Sequence, residues 1–235
     1  LIINVGSGIT VTFTNMSAST FTSGSDTITI NGASGSEDVT GPNLASTIVG
    51  GEGNDTILAG TANDTVDGGT GNDNLNGGSG TNTVSYSTAS GGVTVDLANS
   101  AQQNTFGAGL DTISNFINLS GSSFDDTLTG TVNSNNIDAG NGNDIISGGD
   151  GADSLTGGLG NDVYRFNTNE VDNGEYITEV DGGGTDTVAI VTSTDFVNMP
   201  ATSFDEIEEI RFSGSNQTGT FTGTQLTGET INLTE

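Results

Sequence analysis

One aliphatic residue in every nine marks the stretch from Gly50 to Ser85, and glycines and polar residues fill the places between. Read in nines, the stretch is GGEGNDTIL, AGTANDTVD, GGTGNDNLN and GGSGTNTVS. Glycine recurs at places one, two and four, Asp or Asn at place six, and an aliphatic residue at place eight. The frame returns from Gly121 to Arg165 as GSSFDDTLT, GTVNSNNID, AGNGNDIIS, GGDGADSLT and GGLGNDVYR. A short period that holds over many copies is typical of solenoid proteins.

The repeat predicts a turn over places one to six and a short strand over places seven to nine. Glycine at places one, two and four permits positive φ, and the place-eight side chains point inward between two sheets. Two nonapeptides form one rung, so residues ~18 apart stack at the parallel-strand spacing of ~4.8 Å. The predicted fold class is all-β, a right-handed parallel β-roll or β-solenoid with irregular β-strands at both ends. The predicted inward residues are Ile57, Val66, Leu75, Val84, Leu128, Ile137, Ile146, Leu155 and Tyr164.

The frame also divides the chain into segments. Residues 1–31 are predicted as an N-terminal β-strand cap region. Residues 32–85 are the first array, because GASGSEDVT and GPNLASTIV continue the frame back to Gly32 with Glu37 and Ser46 at place six. Residues 86–120 are an interrupting rung and loop, with SAQQNTFGAG as the excursion loop. Residues 121–165 are the second array, and residues 166–235 a C-terminal β cap region.

Stacking places like charges above one another. The predicted stacks are Asp55 over Asp73 and Asp126 over Asp144 over Asp162 on one edge, and Asp64 over Asn82 and Asn135 over Asp153 on the other. Stacked carboxylates repel unless a cation lies between them, and calcium accepts carboxylate and carbonyl oxygens in a flexible geometry that magnesium does not. The alternative is that these residues only cap turns, but a run at fixed spacing favours calcium. The predicted side-chain ligands are Asp55, Asp64, Asp73, Asp126, Asp144, Asp153 and Asp162.

The edges are predicted to be unequal. The edge with Asp55 and Asp73 keeps its carboxylates, whereas the other edge has Asn82, Asn135 and Ser46 at place six. We therefore expect fewer or weaker ions on that second edge.

The amino-acid composition argues against several classes of binding partner. The chain has 2 Lys and Arg residues against 30 Asp and Glu, a formal net charge of -28. This balance argues against nucleic acid and against anionic membrane surfaces; no apolar run is long enough to insert in a membrane. Such a charge is also typical of disordered chains, but the regular aliphatic spacing favours an ordered fold neutralised by cations. The chain opens at Leu1 without a leader, which indicates a mature form or an excerpt.

Catalytic chemistry is not indicated. The absence of His and Cys removes thiol nucleophiles, imidazole metal ligands and any Ser-His-Asp triad. The densest acid cluster is Asp205, Glu206, Glu208 and Glu209. Ile207, Ile210 and Phe212 interleave with these acids, as in a half-buried edge element whose acids face solvent. We predict that the chain is not an enzyme.

The repeats resemble those of the RTX (repeats-in-toxin) family of secreted bacterial proteins, firmly over Gly50–Ser85 and Gly121–Arg165. The resemblance implies a parallel β-roll, several calcium ions held by place six and by turn carbonyls, and folding triggered by extracellular calcium. Several copies depart from the pattern, at Ala59, Ala62, Phe124 and Asn133 for glycine and at Asn82 and Asn135 for aspartate. The glycines assigned to calcium turns are Gly51, Gly53, Gly69, Gly71, Gly140, Gly142, Gly149, Gly151, Gly158 and Gly160.

These features favour a secreted, extracellular or cell-surface protein with a structural or adhesive role. The strand-like ends predict a homo-oligomer, head-to-tail or lateral, in a surface layer, sheath or filament. One alternative is an RTX secretion or folding module of a larger secreted enzyme or toxin. Another is an ice-binding adhesin segment, although its outward row is irregular, with Glu52, Thr61, Ser79, Asn141, Asp150 and Leu159.

Overall fold

The structure is a computed structural model that describes residues 2–6, 8–12, 28–180, 183–225 and 232–234. Parts of the two predicted β cap regions, 1–31 and 166–235, lie outside these residues. The chain forms two compact units, Leu1–Ser120 and Gly121–Glu235.

Short strands make up the first unit, because β-branched residues flanked by glycine turns favour extended backbone. Their bounds are β1 Ile2–Asn4, β2 Thr10–Thr12, β3 Ile28–Asn31, β4 Asp38–Thr40, β5 Ser46–Glu52, β6 Thr56–Leu58, β7 Thr65–Thr70, β8 Asn74–Asn76, β9 Thr83–Ser85, β10 Thr94–Asp96, β11 Gln103–Asn104, β12 Leu110–Ser114 and β13 Asn118–Ser120.

The second unit adds further strands and a short 3-10 helix at Ala201–Phe204. Its strands are β14 Thr127–Thr131, β15 Asn136–Asn141, β16 Ile145–Gly149, β17 Ser154–Leu159, β18 Val163–Phe166, β19 Tyr176–Thr178, β20 Thr187–Ile190, β21 Thr194–Asp195, β22 Glu209–Phe212, β23 Gly219–Thr220 and β24 Asn232–Thr234.

Successive strands of the first unit alternate between two parallel sheets. One sheet has the order β1-β3-β5-β7-β9-β13 and the other the order β2-β4-β6-β8-β12, with β11 beside β12. Ile48 pairs with Val66 and Ile57 with Leu75, so one rung contains two nonapeptides. The predicted parallel β-roll is confirmed.

The core lies between these sheets, where the place-eight side chains meet. All nine of the predicted inward residues, from Ile57 to Tyr164, are 0% exposed. In strands such as β6 and β14 the residues next to the buried ones are half-buried or exposed, as the pleat of a strand requires. The aliphatic period is therefore the packing period of the fold.

The predicted interruption at 86–120 is an insertion into a continuing coil. Strand β12 pairs directly with β8, Ile113 opposite Leu75, and β13 pairs with β9. The expected excursion loop contains strand β11, which is antiparallel to β12. The inserted residues therefore form a hairpin at the edge of a rung.

In the second unit the parallel pairing continues beyond Arg165, where the nine-residue spacing ends. One sheet runs β14-β16-β18-β20-β22-β24 and another β15-β17-β19. Tyr164 pairs with Val188, and Val188 pairs with Ile210, across longer connections than those of the repeats. Aromatic side chains fill this end of the unit, with contacts among Phe166, Phe196, Phe204 and Phe221.

Candidate calcium sites

Most repeat turns contain two glycines with positive φ. Gly53 has φ 128° and Gly71 has φ 148°, values that residues with a side chain rarely adopt. The same holds for every glycine predicted to line a calcium turn, namely Gly51, Gly53, Gly69, Gly71, Gly140, Gly142, Gly149, Gly151, Gly158 and Gly160. Places two and four therefore set the shape of the turn.

The glycine at place one has a different role, and the expectation that it needs a positive φ is wrong. A Cβ built on Gly50 would stand 2.3 Å from Oδ2 of Asp55 and 2.5 Å from the carbonyl oxygen of Gly68. On Gly148 it would stand 2.0 Å from Oδ2 of Asp153. At Gly50 and Gly148 the aspartate oxygen already occupies the space of a side chain, whereas the turns that begin at Ala59 and Ala139 accommodate a methyl group there.

The place-six residues form columns in which each backbone N–H donates to a side-chain oxygen one rung later. Asp55 N–H donates to Oδ1 of Asp73 at 2.8 Å, and Asp144 N–H to Oδ1 of Asp162 at 2.8 Å. In the first unit, column 1 is Glu37, Asp55, Asp73 and Asp111, and column 2 is Ser46, Asp64 and Asn82. In the second unit, column 3 is Asp126, Asp144, Asp162, Asp186 and Glu208, and column 4 is Asn135, Asp153 and Glu175.

The second carboxylate oxygen of most column residues is buried and has no hydrogen-bond partner among the described residues. These atoms are Oδ2 of Asp55, Asp64, Asp73, Asp144, Asp153 and Asp162, and Oε1 of Glu175. Buried polar atoms are nearly always satisfied, so a row of such atoms requires an explanation. A hard cation that takes oxygen ligands fits these carboxylates and the adjacent turn carbonyls.

The pKa values of the column aspartates also indicate that these sites need a cation. In the absence of a cation, burial raises the pKa of Asp73 and of Asp144 to about 7, and the charges of neighbouring carboxylates contribute to the rise. Burial likewise raises the pKa of Asp55 and of Asp153 to about 6. The backbone N–H that binds each Oδ1 offsets only part of this effect. The columns therefore need protons or cations to be stable.

At two of the predicted stack positions, Asn82 and Asp126, the side chain has hydrogen-bond partners within its own turn. Asn82 donates from Nδ2 to the carbonyl oxygen of Gly77 at 2.7 Å, so its amide holds the turn by itself. Ser122 donates to both oxygens of Asp126, from its backbone N–H at 2.6 Å and its hydroxyl at 2.8 Å. Asp126 thus has the geometry of a turn cap, and its role as a calcium ligand stays a prediction, as it does for the other aspartates.

Besides Glu37, four acidic residues of the columns were not predicted as ligands: Asp111, Glu175, Asp186 and Glu208. Insertions separate them from the preceding column member, by 38 residues for Asp111 and 24 for Asp186. A fixed period of nine cannot find them. The signal that identifies Asp111 and Asp186 is the tripeptide Asp-Thr-aliphatic, which they share with Asp55 and Asp64.

Asp111 closes column 1 through hydroxyl groups. Its Oδ2 accepts hydrogen bonds from the hydroxyl of Thr105 at 2.9 Å and from that of Tyr86 at 3.2 Å. All three residues are buried. This end of the column is therefore satisfied without an unpartnered oxygen.

In the acid cluster at 205–209 the acidic residues interleave with buried apolar ones, as the sequence predicts. Ile207 and Ile210 are buried, and Glu208 accepts the N–H of Asp186 as a column member. No helix in the described ranges is long and apolar enough to cross a membrane.

Parallel rungs, glycine turns and buried carboxylate columns together define a calcium-binding β-roll. A family model described as "RTX calcium-binding nonapeptide repeat (4 copies)" matches residues 49–84 and 129–164. The resemblance to RTX proteins is thereby confirmed for these two segments, which bind several calcium ions and are structural, not catalytic, elements. No curated protein matches the chain significantly.

Proposed function

We propose that the chain is a calcium-dependent extracellular structural or adhesive protein whose β-roll folds on meeting calcium and then self-associates. The observation that carries this proposal is the row of buried, unpartnered carboxylate oxygens. At neutral pH the repulsion between these buried carboxylates destabilises the folded state. A divalent cation that neutralises them therefore determines whether the chain folds. Repeats of this kind are typical of secreted bacterial proteins.

Circular dichroism of the chain with EGTA tests the calcium dependence. We expect a largely unfolded chain that gains β-structure on addition of calcium but not of magnesium, whose stricter octahedral geometry does not suit these turns. Unchanged β-structure after chelation would overturn the proposal.

Self-association is supported by the end strands. Among the described strands, β1 pairs only with β3, and β24 only with β22. Ile2 in β1 is 69% exposed and Leu233 in β24 is 71% exposed. An exposed apolar strand edge is a template for pairing with another chain, and a contact that does not close on itself gives filaments.

Sedimentation and electron microscopy at millimolar calcium test this part. Ile2→Lys and Leu233→Lys should prevent assembly, because a charge on an edge strand blocks pairing. Leu159→Lys is the matched control, since Leu159 is 51% exposed but lies in strand β17, which is paired on one side with β15 and on the other with β19. Assembly that survives both edge substitutions would contradict the head-to-tail contact.

The same open edges also support the second candidate, an RTX secretion or folding module of a larger secreted protein. In that case, neighbouring segments of a longer chain would cover the end strands. A monodisperse monomer at millimolar calcium would favour the module and exclude self-assembly.

A further inference from the structure

A group of three acidic side chains lies at the last repeat, and two of them, Glu179 and Asp186, lie outside the segments that the family model matches. Asp162, Glu179 and Asp186 each offer a carboxylate oxygen, and these oxygens lie within 4.8 Å of one another. Asp162 lies in the last nonapeptide of the second array. Glu179 directly follows strand β19, and Asp186 directly precedes β20. Neither Glu179 nor Asp186 belongs to a nonapeptide.

The strongest sign of a ligand is Oδ2 of Asp162. Asp162 is 0% exposed, and this oxygen has no hydrogen-bond partner in the described part of the chain. Its Oδ1 already accepts the N–H of Asp144 at 2.8 Å, so Oδ2 is the atom left for a ligand.

The neighbours of Oδ2 converge on one point. A Cβ on Gly157 would stand 2.4 Å from Oδ2 of Asp162, 2.5 Å from Oε1 of Glu179 and 2.6 Å from the hydroxyl oxygen of Tyr164. Tyr164 donates a hydrogen bond to Glu179, which fixes the direction of that carboxylate. Asp186 is held in turn, because its Oδ1 accepts the N–H of Asp162 at 2.8 Å.

We propose that Glu179 and Asp186, which lie outside the nonapeptides, bind a calcium ion together with Asp162 of the last repeat. Each rung of the repeats supplies one place-six carboxylate to a column, so an ion between two rungs has two of them as neighbours. This site has two carboxylates of one column, Asp162 and Asp186, and a third, Glu179, from a separate segment. Calcium affinity rises with the number of charged ligands, so this site binds more tightly than the repeat turns. The ion would also hold strand β19 and the start of β20 against the second array.

Terbium luminescence gives a direct test on the full chain, because tyrosine transfers excitation to a nearby lanthanide ion. The chain has 3 Tyr and no Trp, so the Tyr86→Phe/Tyr176→Phe background leaves Tyr164 as the only donor. We expect a tight emission phase in this background. Glu179→Gln and Asp186→Asn should each weaken it at least about tenfold, the loss seen even when a supporting residue of a metal site is removed.

Calcium binding measured by equilibrium dialysis gives the second readout. At a free calcium concentration that just saturates the tight phase, Glu179→Gln should bind fewer ions per chain than Asp138→Asn, by up to one. Asp138 is the matched control because its side chain is exposed and the charge change is the same. Circular dichroism at saturating calcium shows that each variant is folded; if Glu179→Gln does not fold, Glu179→Asp keeps the charge and should retain the ion with lower affinity.

The outcomes separate this site from the proposed function. If Glu179→Gln and Asp186→Asn match Asp138→Asn in ion count and affinity, the additional site is wrong and the calcium-dependent β-roll stands. If the unmodified chain binds no calcium, both are wrong.

Discussion

At Asp144 one carboxylate oxygen is hydrogen bonded and the other is not. Oδ1 accepts the N–H of Asp126 at 2.7 Å, while Oδ2 has no partner among the described residues. The first oxygen joins two rungs and the second is available to a cation. The two functions of the place-six residue, in the backbone network and in metal binding, can therefore be separated by substitution.

Asp144→Asn should have opposite effects with and without calcium. Asparagine keeps Oδ1 and replaces the unpartnered oxygen by an amide that can donate to the turn, as Asn82 does to Gly77. In EGTA we expect the variant to be more stable than the wild type, because a buried unpaired charge is removed. The calcium midpoint for folding should rise at least about tenfold. Calcium titrations followed by circular dichroism measure both, with Asp138→Asn as the control; a lower midpoint would contradict the ligand role.

Gly148→Ala tests the close contact at place one. The added methyl group would stand 2.0 Å from Oδ2 and 2.7 Å from Cγ of Asp153. Overpacking of this kind costs about 1–3 kcal/mol, and it should also weaken calcium binding because Asp153 must move.

The control for this prediction is Gly91→Ala, where the nearest atom is the Gly107 Cα at 4.0 Å. We expect this change to stay within about 0.5 kcal/mol. Urea denaturation at saturating calcium measures both variants. Equal stability of the two would show that the turn has room for a side chain at place one.

On the scale of elements, the insertion between β9 and β12 contributes its own polar network. Tyr86→Phe removes one of the two hydroxyl donors to Oδ2 of Asp111. Loss of a hydrogen bond to a buried charged group costs about 1.5–3 kcal/mol, and this loss should persist at saturating calcium. Thermal denaturation measures it, with the half-exposed Tyr176→Phe as control. A loss that disappears when calcium is raised would mean that an ion can replace the hydroxyl.

The repeat elements could be predicted from the sequence because one aliphatic residue per nine is also the packing period. The 18-residue register, the buried residues such as Ile57 and the stacked aspartates such as Asp73 all follow from that period. Asp111 and Glu175 could not be placed, because an insertion changes the spacing while the fold keeps the register. The contact of place one with the carboxylate was also missed, since it depends on distances across rungs that a linear pattern does not contain.

On the scale of the whole molecule, the many acidic groups make stability depend on pH in opposite directions with and without calcium. Without a cation, burial raises the pKa of Asp73 and Asp144 to about 7 and that of Glu175 to about 9, above the unfolded values of 3.8 and 4.5. A raised pKa in the folded state stabilises it below the unfolded pKa, and this contribution is lost as pH rises through the folded pKa.

Stability in EGTA should therefore be greatest near pH ~4 and fall steadily toward pH ~9. With calcium the trend reverses below neutrality, because the ligands must be deprotonated to bind the ion. Thermal melts followed by circular dichroism across this range, with EGTA and with calcium, measure both. A stability in EGTA that rises from acid to neutral pH would contradict the burial of these charges.

All the backbone-to-side-chain hydrogen bonds of the columns run in the same direction along the chain, from donor to acceptor. In each one, an amide of an earlier rung donates to a side chain of a later rung, as Asp126 does to Asp144 and Asp144 to Asp162. Removal of the later rungs leaves a place-six amide without its side-chain acceptor, whereas removal of the earlier rungs leaves a carboxylate oxygen without its donor. The two ends of a column are therefore chemically different: the place-six amide of a rung has its side-chain acceptor only when the following rung is in place.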